Sequence, residues 1–92
     1  MNAPLTVQLR FFARVREQLG CSEETVTLPA EITTVGDVRH WLIGRGGAWA
    51  RTLAMDNNIR MAYQHVMCNE SEPLVKSGST QEIAFFPPVT GG

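Results

Sequence analysis

Hydrophobic and polar residues alternate at the start of the chain, with Leu5, Val7, Leu9 and Phe11 interleaved with Thr6, Gln8 and Arg10. A period of two predicts a half-buried strand at about 5–12. The spacing then changes. In "ARVREQLG", Val15 and Leu19 lie four apart and Gly20 is placed to stop a short helix. Thr25, Val26, Thr27 and Leu28 predict a second strand, closed by Pro29. "TTVGDVRHWLIGRGG" carries the strongest helical signal. Thr34 caps it, Asp37 brings negative charge to the positive end of the helix dipole, and Val35, Val38 and Leu42 line one face beside Trp41. Gly44, Gly46 and Gly47 end this helix, and "AWARTL" adds a turn or two.

The second half is strand-like. "DNN" at 56–58 predicts a turn, and "IRMAYQHVMC" at 59–68 predicts one strand, or two joined by a bulge. "NESEP" is a further turn, Leu74-Val75 a brief edge pairing, and "SGST" at 77–80 a loop. Ile83, Ala84, Phe85 and Phe86 form a last strand, which Pro87-Pro88 must stop because proline donates no ladder hydrogen bond. The order is strand, short helix, strand, helix, strands. One sheet with one principal helix packed across one face satisfies it, an α+β fold. The expected division is a globular domain at 1–86 and a flexible tail at 87–92.

Ninety-two residues make one domain with one modest core. The hydrophobic and charged fractions, 43% and 18%, suit a soluble globule. A net charge of −1 argues against a nucleic-acid partner. No apolar run approaches the roughly 20 residues of a membrane span, and "MNAPLTVQLR" has no secretory-signal pattern, so the expected compartment is the cytoplasm. Cys21 and Cys68 stand outside any CxxC and at no ligand spacing from a histidine, which predicts two partly buried thiols and no metal site. His40 and His65 have no nucleophile partner readable from spacing, no P-loop is present, and no GxGxxG opens a helix. Trp41 and Trp49 read as core or near-core residues; Arg10, Arg14 and Arg16 read as a solvated face or a basic docking patch.

The ending "FFPPVTGG" is then the place left for chemistry. If Ile83 and Phe85 face the helix, Phe86 lies on the open side of the sheet, at the root of the tail. Pro87-Pro88 favour a stiff segment leading away from the sheet. Val89, Thr90, Gly91 and Gly92 then extend roughly 13–14 Å further. Without a Cβ, Gly91 and Gly92 can thread a channel too narrow for any side chain. Physics leaves two readings open, a frayed end or a carboxylate delivered into another protein's active site.

"FFARVREQLG" and "IAFFPPVTGG" together resemble the small, sulfur-carrying subunits of molybdopterin synthase, in the ubiquitin-like sulfur-carrier family with its β-grasp fold. The resemblance implies that an adenylyltransferase like those that activate ubiquitin uses ATP on the Gly92 carboxylate. A sulfur donor, a sulfurtransferase, then converts the acyl-adenylate to a thiocarboxylate. The tail next enters the large synthase subunit, where its sulfur attacks a cyclic pyranopterin precursor. It further implies two small and two large chains, with the catalytic side chains mostly on the large subunit and no cofactor bound by this chain. The pattern carries over onto Phe86, Pro87, Pro88, Val89 and Thr90 as docking residues, and onto Gly91 and Gly92 as the reactive end. Upstream the chain departs from the family. "SGSTQEI" replaces a shorter, more acidic turn, and Tyr63-Gln64 stands where a Val-Asn pair is common. Three alternatives follow: a carrier for thiamine or cysteine synthesis, a ubiquitin-type modifier, and an interaction module with an inert tail. Lys76 is the only side-chain amine here on which modifier chains could grow.

Overall fold

In the computed structural model, residues 5–75 and 80–88 are described. The elements run β1 (Leu5–Phe11), α1 (Ala13–Leu19), β2 (Glu23–Leu28), α2 (Val35–Ile43), α3 (Gly47–Leu53), β3 (Arg60–Tyr63), β4 (Val66–Cys68) and β5 (Gln81–Phe86). The sheet order is β2-β1-β5-β3-β4. The central pair β1–β5 is parallel, with Phe11 opposite Phe85, and every other pair is antiparallel. This is the mixed sheet of the expected β-grasp.

The alternation in β1 does what its pattern predicts. Leu5, Val7, Leu9 and Phe11 are buried, and so are Ile83 and Phe85 of β5 on the same face. Val35, Val38 and Leu42 of α2 close over them, each fully buried. Thr34 caps α2 in a complete capping box with Asp37. Gly20 ends α1 in the left-handed conformation, φ 69°.

One expectation needs correction and two gain detail. The 59–68 segment is neither one strand nor a bulged pair. It is a hairpin that turns back at Gln64 and His65, both left-handed with φ 52° and 69°, so Tyr63 pairs with Val66. Two consecutive positive φ values suit the right-handed twist of the flanking strands, and here residues other than glycine adopt them. "AWARTL" adds about two helical turns, as expected, and they form a helix of their own. Gly46 and Gly47, with φ 76° and 56°, break the chain's direction and start a separate helix, α3. The brief pairing expected at Leu74-Val75 is a single bridge, placed one residue earlier. The one isolated bridge nearby joins Thr34 to Pro73, while the Leu74 N–H donates to the Thr33 carbonyl at 2.9 Å. The loop expected at 77–80 lies outside the described residues except for Thr80.

Arg39, on α2, is 3% exposed. Its Nε donates to the Leu53 carbonyl at 2.8 Å, and one terminal nitrogen donates to the carbonyls of Ala54 and Asn57 at 2.6 and 3.0 Å. Glu70 approaches the other terminal nitrogen to 3.6 Å. The guanidinium thus caps the free carbonyls at the end of α3 and fixes the turn into β3.

Candidate functional site

The tail root is built by β5. Its backbone is paired with β1 as far as Phe85 and with β3 as far as Phe86, which lies opposite Arg60. Pro87 cannot continue the ladder, so the chain leaves the sheet there. Ile83 and Phe85 point into the core, while Phe86 is half-buried on the open face, as the alternation predicted. Pro87 and Pro88 are also half-buried. Val89, Thr90, Gly91 and Gly92 lie outside the described residues.

The structure adds a neighbour that local sequence reading missed. The Phe12 N–H donates to the Phe85 carbonyl at 3.2 Å, extending the β1–β5 pairing by one residue. This brings Phe12, 40% exposed, beside the tail root. The Arg10 guanidinium carbon sits 5.5 Å from the centre of the Phe12 ring. Arg10 also lies between Glu23 and Glu82, at 4.0 and 3.6 Å. It is therefore a tethered part of the open face, whereas Arg14 and Arg16 on α1 are exposed. The root presents two aromatic rings with a cation beside them, the residue types that serve as anchors at protein interfaces.

Among the described residues no competing centre forms in the body. His40 is exposed on α2. His65 is exposed at the hairpin turn, with Nδ1 3.7 Å from the Glu82 carboxylate. Cys21 and Cys68 are half-buried free thiols, as expected. Burial pushes the Cys68 thiol up, with Glu72 adding to the effect, which makes it a weaker nucleophile. Among the described residues no cluster of three or more His, Cys, Asp or Glu could hold a metal ion. Two shallow clefts of about 330 and 280 Å³ are lined, respectively, by residues of α1 and α3 and by residues around Arg39 and Cys68. Neither includes Phe86, Pro87 or Pro88. Trp41 and Trp49 are half-buried against the core.

The ThiS family model matches residues 9–92, so the match runs through the tail. The molybdopterin synthase sulfur carrier subunit of Haemophilus influenzae is 40% identical over 82 residues, covering 89% of this chain and 94% of that protein. Its Escherichia coli counterpart is 34% identical over 86 residues, covering 94% and 99%. Among solved structures, the complex of subunits 1 and 2 of the molybdopterin-converting factor from Helicobacter pylori contains a chain of the same fold. It aligns with a TM-score of 0.58 at 24% identity, over 96% of this chain and all of that one. The chain belongs to the ThiS family, among the sulfur carrier subunits of molybdopterin synthase.

Proposed function

We propose that this sulfur carrier holds its sulfur on Gly92, as a thiocarboxylate, and delivers it by threading the tail into a larger partner. The supporting observation is that the family match extends from the body through residue 92, so the tail belongs to the part shared with the carriers. A carboxylate resists nucleophilic attack because it is already negatively charged. Adenylation by an ATP-using enzyme removes that obstacle: a Gly92 oxygen bonds to the α-phosphorus, and pyrophosphate leaves. A sulfur donor then displaces AMP and leaves the thiocarboxylate. In the large synthase subunit this sulfur attacks the pyranopterin precursor, water then cleaves the bond between the sulfur and the Gly92 carbonyl carbon, and each turnover returns a Gly92 carboxylate. Phe86, Pro87, Pro88, Val89 and Thr90 are the proposed docking residues, and Gly91 gives the last residue room to pass. The helicobacter assembly, a complex of two subunits, supports a large-subunit partner. The free thiols Cys21 and Cys68 suit the reducing cytoplasm, the proposed compartment. Among the described residues no helix is long and apolar enough to cross a membrane.

Intact mass spectrometry tests the proposal. Co-expression with an activating enzyme and a sulfur source is expected to replace one oxygen by sulfur, with the gain mapping to the C-terminal peptide. An unchanged mass, with no adenylate trapped, overturns it.

A further inference from the structure

The aromatic residues are unevenly placed. The core under the middle of the sheet is aliphatic, built from Leu5, Val7, Leu28, Val35, Val38 and Ile83. At the tail end it becomes a train of rings. Phe85, one residue before the tail root, is stacked on Phe11 with centres 5.8 Å apart and planes at 19°. Trp49 of α3 meets Phe11 edge-on, at 5.4 Å and 75°. The Arg45 guanidinium carbon lies 4.5 Å from the centre of the Trp49 ring and 5.4 Å from that of Trp41. Both terminal nitrogens of Arg45 donate to Glu24 of β2, at 2.9 and 2.7 Å. This bidentate pair lowers the Glu24 pKa and raises that of Arg45. Five residues from five places in the chain, Glu24, Arg45, Trp49, Phe11 and Phe85, thus connect the edge of the sheet to the base of the tail.

We infer that Trp49, locked by Arg45, is a positioning residue for sulfur transfer, acting through Phe11 and Phe85 on the direction in which the tail leaves the sheet. The inference rests on the proposal that Gly92 carries the sulfur. Offset and edge-on ring pairs have preferred geometries and add about 0.5–1.5 kcal/mol beyond the area they bury, so the rings hold one another in a defined arrangement that methyl contacts do not specify. Stiffness matters because the root sets the direction in which Pro87-Pro88 leave the sheet. Pro87-Pro88 carry the root's direction onward, and a tilt of about 10° there swings a point roughly 6 Å out by roughly 1 Å. Correcting that error inside a partner's channel restricts the chain further and costs conformational entropy. Misplacement of reacting atoms by about 1 Å is enough to slow a reaction about a hundredfold.

The test compares Trp49→Phe, which keeps a ring, with Trp49→Leu, which keeps an apolar side chain without one. Each variant is thiocarboxylated and mixed with excess large subunit below its own unfolding temperature. Single-turnover sulfur transfer and the Kd of the complex are then measured. Trp49→Leu is expected to transfer about tenfold more slowly at saturation, with Kd within about twofold of the parent and Trp49→Phe near the parental rate. The inference is overturned if Trp49→Leu transfers at the parental rate once saturated, if its whole defect lies in Kd, or if Trp49→Phe is equally slow. A parent protein that accepts or transfers no sulfur would instead refute the assignment of Gly92.

Discussion

The two ends of β5 are only five residues apart and are built for different purposes. At its start, Gln81 is 3% exposed. The Tyr63 hydroxyl donates to its amide oxygen, its amide nitrogen donates to the Val75 carbonyl, and the Val75 N–H donates back to the Tyr63 oxygen at 2.9 Å. Every polar group in this small circuit is answered within the chain, so this end serves the fold. At the other end, Phe86, Pro87 and Pro88 are apolar and only half-buried, with Phe12 open beside them. A fold gains little by leaving such groups in water, whereas a partner gains by covering them. Stability and function therefore separate along one strand, and mutations at the two ends should fail in different ways.

The largest separation is expected at the tail. Deleting Gly92, or adding a residue after it, should abolish thiocarboxylate formation and sulfur transfer. The thermal midpoint should stay at the parental value. Mass spectrometry and thermal denaturation of the same samples check both halves, and a large fall in the midpoint would make the tail part of the fold.

Arg39→Met should produce the opposite failure. It leaves the Leu53, Ala54 and Asn57 carbonyls without their donor and strands Glu70 beside an apolar side chain. Breaking a buried charge from its partners costs about 3–5 kcal/mol. Glu70 is partly exposed, so the lower end of that range, about 3 kcal/mol, is expected in urea denaturation. Transfer per folded molecule should be retained. A stable Arg39→Met protein would show that water replaces the guanidinium without loss.

Arg39 also marks where sequence reasoning stops. A charged residue in an amphipathic helix reads as solvated, and the carbonyls it bonds lie 14 to 18 positions away along the chain. Long-range pairing hid Phe12 in the same way, since only the parallel β1–β5 register puts it beside the tail root. The hairpin turn was missed because Gln64-His65 lacks the Asn-Gly or Asp-Gly signal that marks such turns. Gly46-Gly47 read as a stop and proved to be a stop and a restart. By contrast, β1, β5 and α2 were legible because one face of each is buried, which forces a period of two or 3.6 into the sequence. The facing of Phe86 followed from the same alternation.

Phe86→Ala probes the open end more gently than loss of Gly92. The side chain faces away from the core, so its removal should cost the fold less than about 1 kcal/mol. Association with the large subunit should weaken by about 2 kcal/mol, the effect of truncating an interface anchor. Calorimetric titration of the free and truncated proteins measures the difference. Equal affinities would remove Phe86 from the docking surface.

The smallest expected effect lies at the start of α2, in the body, and it carries a pH signature. The Asp37 carboxylate accepts from the Thr33 and Thr34 N–H groups at 3.1 and 3.2 Å and from the Thr33 hydroxyl at 3.1 Å. These bonds, led by the Thr33 N–H, hold its pKa below the ordinary aspartate value. The charged form is thus favoured in the folded chain relative to the unfolded one. The resulting stabilisation is fully present above the unfolded pKa, about 3.9, and fades as the pH falls through that value towards the depressed one. Asp37→Asn should cost about 1 kcal/mol at neutral pH. Its urea midpoint should converge with the parental one below about pH 4. Sulfur transfer at neutral pH should be unchanged, because the capping box holds the helix start and touches neither Phe86 nor the ring train beneath it. A transfer defect in this variant would show that the two ends of the molecule are coupled and that the division seen along β5 does not extend to α2.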